Sequence, residues 1–379
     1  MDGHIKGITI LGSTGSVGTQ AIEVINQFPD KLKIIGLAAK TSYTHLSKQI
    51  QQVSPLVAFW EKSNQSKSIM KNFENMYADI SDLCTHNNVD IVLTATTGIA
   101  SIYPTIEAIK SGKNIALANK ESLIIAGEQI TSEAQKQSVK IFPVDSEPNA
   151  IWQCIQGENS TINKVFITSS GGSLRSKPVD FLANSTVEET LKHPNWSMGA
   201  KITVDSATLM NKVFEVIEAK WLFGLPWEKI DVIVHPQSQI HSMVEFLDGS
   251  IKAQIGVSDM KSPIQYAFLY PERLKNPTIN QFNPFKNNNL TFLEVDNLRY
   301  PCFELGIQTA KKGNTWPAVL CGADEGAVEL FLSRKIKFTD IFSILDKVIQ
   351  NHKPIKDPSL SDMIEASQNA YIEAINTTV

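Results

Sequence analysis

ITILGSTGSVG, residues 8–18, decides the fold of this chain. A β-branched run ends at Leu11, three glycines follow with the spacing GxxGxxG, and a helical apolar pattern runs over 18–27. This order places N–H groups at a helix N-terminus directly after a first strand, where a dinucleotide pyrophosphate binds. A plain tight turn is the alternative, because the spacing is not GxGxxG. The strand before the loop and the helix after it favour the nucleotide site.

The rest of the N-terminal third alternates short β-branched runs with longer helical patterns. This alternation is typical of a parallel sheet covered by helices on both faces. The predicted strands are residues 8–11, 33–38, 56–59, 91–94 and 114–118. We therefore predict an α/β fold whose N-terminal part, residues 1–145, is a Rossmann-like, doubly wound parallel sheet.

Longer polar loops separate the strand patterns that follow, at 164–168, 202–204, 232–234 and 242–246. Such loops often carry function, so we predict a central α/β catalytic domain over 146–270. Prolines and an Asn run predict a connector over 271–295. Helical apolar spacing then predicts a C-terminal helical bundle over 296–379, with helices at 301–312, 323–333, 339–351 and 361–375.

Composition excludes several classes of protein. The 379 residues include 35 Lys and Arg against 39 Asp and Glu, a net charge of −4, and the cations are scattered. Nucleic acid is therefore not an expected partner, because binding it requires a basic stripe. The apolar runs fall far short of the roughly 20 residues that span a bilayer, so no membrane contact is expected.

The chain start and the cysteines indicate the compartment. No apolar signal core or Arg-rich transit peptide precedes the first strand, which predicts a cytoplasmic protein. The four cysteines have neither metal nor redox spacing and are too few for a disulfide framework. We interpret them as ordinary thiols.

The end of the second predicted strand indicates which dinucleotide is bound. An NAD site usually has an acidic residue there, whereas this chain has Lys40, Thr41 and Ser42. One cation followed by two hydroxyls suits a 2′-phosphate, so we predict NADP(H). The alternative is that Lys40 is an ordinary surface lysine, since no second basic residue lies nearby in sequence.

A polar cluster, ALANKES at 116–122, follows the fifth strand at the sheet edge where ligands bind. Asn119, Lys120 and Glu121 are thus candidates to face cofactor and substrate. Alternatively, Lys120 and Glu121 simply begin a solvated helix.

Three carboxylates form a candidate metal site. In extended chain, Asp145 and Glu147 would project to the same side, and a helix starting near Ser206 would place Asn211 and Glu215 on one face. Carboxylates without His or Cys predict Mg²⁺ or Mn²⁺. A surface pair of acids is the alternative for Asp145 and Glu147. We interpret Glu218 as a solvated helix charge and Asp205 as a helix cap or loop acid.

Small hydroxyls and glycines at 169–172 predict an anion-binding nest after a strand. Ser206, Asn211 and Lys212 would supply further donors. Residues 193–199, HPNWSMG, have the character of a lid. His193 could equally be a loop histidine satisfied by backbone, and Trp196 a hydrophobic plug.

Taken in order, these segments resemble the 1-deoxy-D-xylulose 5-phosphate reductoisomerase family over nearly the whole chain. The motifs that carry the resemblance are GSTGSVG at 12–18, ALANKES at 116–122, PVDSE at 143–147, HPNWSMG at 193–199, VDSATLMNK at 204–212 and HPQSQIHSMV at 235–244. The chain departs from the usual family residues at 40–42, Pro148, 173–174 and Ala200, none of which is one of the three carboxylates.

The resemblance implies a role for each matching residue. The metal ligands would be Asp145, Glu147 and Glu215. The substrate, a small phosphorylated sugar, would be bound by Lys120, Ser146, Glu147, Ser170, His193, Ser206, Asn211, Lys212 and Glu215. NADPH would contact Thr14, Gly15, Ser16, Val17, Lys40, Thr41, Asn119, Glu121 and Gly199. Family membership also implies a homodimer, with Lys120, Asp145, Glu147 and Glu215 as the catalytic residues.

The resemblance implies a metal-assisted rearrangement followed by hydride transfer from NADPH, and the sequence leaves the general base open. Two other functions remain open. One is a different NADP oxidoreductase, of the semialdehyde or homoserine dehydrogenase type. It would explain the glycine loop but would give the three carboxylates no function. A silent nucleotide-sensing protein would bind NADPH without turnover.

Overall fold

A computed structural model describes residues 4–378. The strands are β1 (Lys6–Leu11), β2 (Leu32–Ala38), β3 (Val57–Phe59), β4 (Ile91–Thr94), β5 (Asn114–Leu117), β6 (Ile141–Pro143), β7 (Ile162–Ser169), β8 (Ile230–Val234), β9 (Ile240–Phe246) and β10 (Ile251–Ile255).

The first ten α-helices are α1 (Ser16–Gln27), α2 (Tyr43–Val53), α3 (Asn64–Ile69), α4 (Ile80–Thr85), α5 (Ile102–Lys110), α6 (Lys120–Gln137), α7 (Ser146–Ile155), α8 (Val187–Thr190), α9 (Ala200–Thr208) and α10 (Met210–Phe223). The remaining ones are α11 (Lys261–Leu269), α12 (Pro301–Lys311), α13 (Trp316–Leu332), α14 (Asp340–Asn351) and α15 (Leu360–Asn376).

The chain divides into two compact units. The first contains residues up to 122, 128–149 and 259–280, and the second contains 123–127, 150–258 and those from 281 onward. The predicted four-part division, 1–145, 146–270, 271–295 and 296–379, differs from this grouping and stays a prediction. Residues 1–3 and 379, at its two ends, lie outside the described part.

The sheet of the first unit has six parallel strands in the order β3-β2-β1-β4-β5-β6. This is the doubly wound order, and it confirms the predicted fold class. The carboxyl ends of parallel strands share one edge. The loops after β1, β2, β5 and β6 therefore open on the same edge of this sheet.

Residues 259–280 also belong to the first unit, although the sequence analysis placed most of them in the catalytic segment. Lys261 of α11 forms an ion pair with Glu23 of α1 at 3.4 Å, and the Asn149 amide donates to the carbonyl of Pro263. The sequence gives no period-3.6 signal strong enough to reveal this return of the chain, because α11 is short and apolar on most sides.

The second unit contains a mixed four-stranded sheet in the order β10-β9-β7-β8. Strand β7 is parallel to β8 and antiparallel to β9. Helix α10 packs on this sheet through Val216 and Ala219, which share a core with Val165, Ile167 and Val244. The apolar residues of one helix face and one sheet face are thereby buried together.

The C-terminal helices of the second unit confirm the predicted helical region. Helix α13 is buried along most of its length and begins seven residues before the predicted 323–333 pattern. It approaches α15 so closely that a Cβ on Gly322 would lie 1.9 Å from the carbonyl oxygen of Ser367. Among the described residues, no helix is long and apolar enough to cross a membrane.

One predicted strand, 202–204, is wrong. These residues lie in α9, where Thr203 and Val204 are buried. The Ile-Thr-Val run favours a strand by local propensity, but burial of one helix face overrides that preference. Strand β10 and helix α11 were not predicted.

All four cysteines are free and buried. Burial raises the pKa of the Cys84 thiol to about 12 and that of Cys154 to about 11. Thiolates are therefore scarce at these positions near neutral pH, which agrees with the interpretation as ordinary thiols.

Gly18→Ala is predicted to lower the free energy of unfolding by about 1–3 kcal/mol, because its Cβ would lie 2.3 Å from the carbonyl oxygen of Gly12. Gly15→Ala is the matched control, since its Cβ would come no closer than 3.4 Å to its neighbours. Denaturant unfolding of both variants checks this, and equal losses of stability would contradict it.

Candidate active site

The loop after β1 presents backbone donors at the start of α1. Gly12 has a φ of 85° and lies so close to the neighbouring β4 loop that a Cβ would meet Ala95 at 2.5 Å. Gly15 is the N-cap of α1 and contributes no side-chain bond. The first N–H groups of α1 thus lack a side-chain cap, which is the arrangement that accepts a phosphate.

The residues of this loop differ in solvent exposure. Ser13 is buried and exchanges two 2.8 Å hydrogen bonds with Gln49, so its role is structural. Thr14 and Val17 are half-buried, whereas Gly15 and Ser16 are exposed. The four predicted cofactor residues therefore lie on the open side of the loop.

Lys40 and Thr41 are exposed directly after β2. Their backbone is tied to the end of β3, because the Ala39 N–H donates to the Phe59 carbonyl and the Glu61 N–H to the Lys40 carbonyl. Both residues thus lie at the sheet edge that also carries the glycine loop.

Asn119 is almost completely buried, and its side chain holds the loops after β4 and β5 together. Its oxygen accepts from the N–H and hydroxyl of Ser122 and caps α6, while its NH₂ group donates to the carbonyls of Thr96 and Gly98. Sequence reasoning predicted a cofactor contact, and did not anticipate this capping role. Glu121, one residue into the same turn, is half-buried.

Lys120 and Asp145 form a close ion pair at the ends of β5 and β6. Both side chains are largely buried, with 7% and 12% of their surface exposed. Charges withdrawn from water in this way are retained only when they are paired or coordinated. The pair explains why Lys120 does not simply begin a solvated helix.

Asp145 and Glu147 offer carboxylate oxygens within 4.8 Å of each other. The extended geometry predicted for them is wrong. Asp145 directly precedes α7, and its carbonyl accepts from the Asn149 N–H, so Ser146 and Glu147 lie in the first helical turn. The Ser146 hydroxyl donates to Glu147 at 2.5 Å. A helix start brings the two carboxylates together as effectively as a strand would.

In the second unit, β7 leads into a glycine loop at 170–172. Gly171 and Gly172 have φ values of 79° and 73°, and their N–H groups donate to the hydroxyls of Ser169 and Ser170. A Cβ on Gly172 would lie 2.6 Å from the Ser206 carbonyl oxygen. This loop and the end of α9 are therefore in direct contact, as a shared anion site requires.

His193 joins the predicted lid to this loop. Its Nδ1 accepts from the N–H groups of Asn195 and Trp196, at 3.2 and 2.9 Å. The proton of the neutral ring is then on Nε2, which donates to the Ser170 hydroxyl at 2.8 Å. Trp196 is half-buried and packs edge-on against His241 at 5.9 Å, and the alternative of a hydrophobic plug between domains stays a prediction.

His235 has a structural role. Its Nδ1 lies 2.9 Å from the Thr291 carbonyl, and its Nε2 accepts from the Gln239 N–H. Burial lowers the pKa of His235, which keeps the ring neutral near pH 7. His241 lies near the Val257 carbonyl.

The helix predicted to start near Ser206 is two helices. Leu209, with a φ of 61°, ends α9 and begins α10. Within α10, Glu215 is 1% exposed and accepts 2.5 Å bonds from Asn211 and Lys212. The predicted one-face arrangement of Asn211 and Glu215 is thus present.

Two acidic residues differ from their interpretation. Glu218 is fully buried and is not a solvated charge, because α10 is covered on all sides. Asp205 is neither a cap nor a loop acid: it lies inside α9, where it accepts from Lys201 at 2.6 Å.

The structure therefore gathers the predicted residues in each unit separately. In the first unit, the groups are Thr14, Gly15, Ser16, Val17, Lys40, Thr41, Asn119 and Glu121 around the nucleotide loop, and Lys120, Asp145, Ser146 and Glu147 around the carboxylates. In the second unit, they are Ser170, His193 and Ser206, with Asn211, Lys212 and Glu215 on α10 and Gly199 as the exposed N-cap of α9.

Sequence reasoning missed residues that hold these groups in place. Arg175 donates to the Ser170 carbonyl, Tyr300 donates to that of Gly171, and Lys201 pairs with Asp324. The loop at 169–172 was the one sequence signal that pointed to this region. Contacts with residues far away in the chain leave no local sequence pattern that would reveal them.

Three family models match the chain. Residues 8–127 match the model described as 1-deoxy-D-xylulose 5-phosphate reductoisomerase, residues 141–223 match that of its C-terminal domain, and residues 255–372 match a DXP reductoisomerase C-terminal domain. Together they cover most of the sequence.

Curated relatives with this name match along their whole length. The protein of Pelotomaculum thermopropionicum is 43% identical over 373 residues, with 96% of each chain covered, and that of Desulforamulus reducens is 46% identical over 380 residues, with 98% covered.

Solved structures of reductoisomerases are also similar to this chain. The reductoisomerase of Zymomonas mobilis in complex with NADPH has a TM-score of 0.90 at 35% identity, with 98% of each chain covered. A DOX-P reductoisomerase with NADPH, fosmidomycin and magnesium has a TM-score of 0.89 at 34% identity, covering 98% of this chain and 97% of that one.

His193→Phe is predicted to speed hydrogen exchange at the amides of Asn195 and Trp196, because it removes the nitrogen that accepts from both. Ser170→Ala is the control, since it removes the partner of Nε2 and the acceptor of the Gly172 N–H but leaves Nδ1 intact. Exchange measured by NMR or mass spectrometry checks this. Unchanged exchange in His193→Phe would show that the ring does not hold the loop.

Proposed function

The chain belongs to the 1-deoxy-D-xylulose 5-phosphate reductoisomerase family, and on this premise we propose its reaction. It converts 1-deoxy-D-xylulose 5-phosphate to 2-C-methyl-D-erythritol 4-phosphate, with NADPH and Mg²⁺ or Mn²⁺, in isoprenoid precursor biosynthesis. The observation that carries the proposal is the placement of a nucleotide loop and a carboxylate pair at one edge of the same parallel sheet. The homodimer and the cytoplasmic location stay predictions.

Asp145, Glu147 and Glu215 are the proposed metal ligands. The donor set fits a hard divalent cation, because it consists of carboxylate oxygens and two of them come within 4.8 Å inside the first unit. Glu215 is buried and already shares its charge with Lys212, so a cation at this position meets a carboxylate that is held in place. When bound, the ion supplies Lewis-acid polarisation of the substrate carbonyl, and NADPH supplies the hydride.

Five residues form what we call the phosphate site: Ser170, His193, Ser206, Asn211 and Lys212. Lys212 provides positive charge, and the others provide hydroxyl, ring and amide donors. The direct contact between the 170–172 loop and the end of α9 supports their joint action on one phosphate. Binding energy from this remote group orients the reacting carbons and favours closure of the loop at 193–199, which excludes water.

Lys120 is the proposed residue nearest the reacting carbons, together with Ser146. Its ammonium group is held beside Asp145, and it is positioned to hold or deliver a proton at Nζ. Ser146 orients Glu147 through its hydroxyl. The proposed NADPH contacts are Thr14, Gly15, Ser16, Val17, Lys40, Thr41, Asn119, Glu121 and Gly199.

Glu215→Gln is predicted to lower turnover by about a hundredfold or more, because it removes one charge from the ion's ligands. The assay follows NADPH absorbance with 1-deoxy-D-xylulose 5-phosphate, with and without Mg²⁺ or Mn²⁺. Glu228→Gln, an exposed glutamate between α10 and β8, is the control.

The same assay separates the alternatives. Oxidation of NADPH that does not need a divalent ion would favour a simple dehydrogenase, and NADPH binding without turnover under any metal would favour a silent homologue. Either result would contradict the proposed function.

Lys40→Ala is predicted to raise the KM for NADPH about tenfold and to leave the KM for NADH nearly unchanged. The reason is the loss of one charge-assisted contact to the 2′-phosphate at an exposed position, worth roughly 1.5 kcal/mol. Lys48→Ala, an exposed lysine on α2, is the control. An equal rise in the KM for NADPH and the KM for NADH would contradict a contact between Lys40 and the 2′-phosphate.

A further inference from the structure

The C-terminal segment reaches the phosphate site through one hydroxyl. Tyr300 is buried next to α12, and its hydroxyl donates to the Gly171 carbonyl at 2.9 Å. Burial raises the pKa of Tyr300 to about 12, so the hydroxyl keeps its proton. Because Gly171 follows Ser170 and has a positive φ, this bond fixes the turn that orients the Ser170 hydroxyl.

A second contact reaches α9. The Lys201 ammonium donates to Asp205 at 2.6 Å and to Asp324 of α13 at 2.7 Å, and it lies 4.8 Å from the Phe214 ring centre. Both aspartates are buried, with 2% and 0% exposed. Lys201 is partly exposed, with 30% of its side-chain surface accessible. We call these three residues, Lys201, Asp205 and Asp324, the α9 triad.

The α9 triad joins α9 to the rest of the second unit. Helix α9 has nine residues, and its N-cap, Gly199, makes no side-chain bond, so tertiary contacts must fix it. Lys201 lies two residues after Gly199, at the end of the lid loop, and Asp205 directly precedes Ser206. A shift of the triad therefore moves both the lid hinge and a phosphate donor.

Stability alone is a poor account of this arrangement. Buried ion pairs contribute little net stability compared with apolar residues of similar volume, because desolvation offsets the attraction. They do restrict the relative orientation of the elements they join. Here those elements are α13, α9 and, through the Phe214 contact, α10, which carries Asn211 and Lys212.

We propose that Tyr300 and Asp324 are positioning residues of the phosphate site. Tyr300 fixes the 170–172 loop, and Asp324 fixes α9 through Lys201, so that Ser170 and Ser206 keep the spacing that a phosphate group requires. The C-terminal helices thereby act on substrate binding without touching substrate. This inference rests on the proposed function in that it takes Ser170 and Ser206 as phosphate ligands.

The test measures kcat and both KM values for Tyr300→Phe, Asp324→Ala and Asp324→Asn. We expect Tyr300→Phe and Asp324→Ala to raise the KM for 1-deoxy-D-xylulose 5-phosphate roughly three- to tenfold, with the KM for NADPH within about twofold. Asp324→Asn keeps an oxygen acceptor for Lys201 and should recover most of the loss. Hydrogen exchange at residues 170–172 and 200–208 should rise in step with the KM.

Arg334→Ala is the matched control, because Arg334 also joins the C-terminal segment to an earlier part of the second unit, through Glu188, but at the exposed surface. It should leave both KM values unchanged. Tyr300→Phe deletes a single oxygen, so it carries the test even if Asp324→Ala does not fold.

Ser206→Ala separates this inference from the proposed function. A wild-type KM in Ser206→Ala would refute the phosphate assignment itself. A raised KM in Ser206→Ala, with unchanged values in Tyr300→Phe and in any folded Asp324→Ala, would overturn the positioning role alone. Equal changes in the KM for NADPH and for substrate would also overturn it, because they indicate a general loss of structure.

Discussion

Carboxylates withdrawn from water need a cation, and this constraint organises the chemistry of the chain. Asp145 is paired with Lys120 in the first unit, and Glu215 with Lys212 in the second. Burying an ionised carboxylate without such a partner is strongly unfavourable. Within each unit, the elements that supply a buried carboxylate must therefore also supply the cation that pairs with it.

Backbone geometry supplies the second constraint. Gly12, Gly171 and Gly172 have positive φ values. Gly12 and Gly172 also lie so close to neighbouring backbone that neither position has room for a Cβ. Leu209 adopts the same left-handed region and turns α9 into α10, so that Ser206 and Asn211 lie on different helices. Loops of this kind place N–H groups and short side chains where a phosphate binds.

Much of this was predictable from the sequence, because the decisive signals are local. The GxxGxxG loop follows a strand and precedes a helix, and the alternation of strands and helices yields the parallel sheet. The wrong predictions share a cause. The Ile-Thr-Val run at 202–204 and the extended geometry at 145–147 both followed local preference, whereas tertiary burial and a helix start decide the structure. Tyr300 and Asp324 could not be found at all, because their partners lie 129 and 123 residues away.

The position of the bound metal would test the proposed ligand set directly. Crystals of the protein grown with Mn²⁺ would be measured at the manganese absorption edge, and the anomalous difference map would locate the ion without reference to activity. We predict one dominant peak in contact with carboxylate oxygens of Asp145, Glu147 and Glu215. A dominant peak bound by other residues, or Mn²⁺ binding that survives replacement of all three carboxylates by amides, would contradict it.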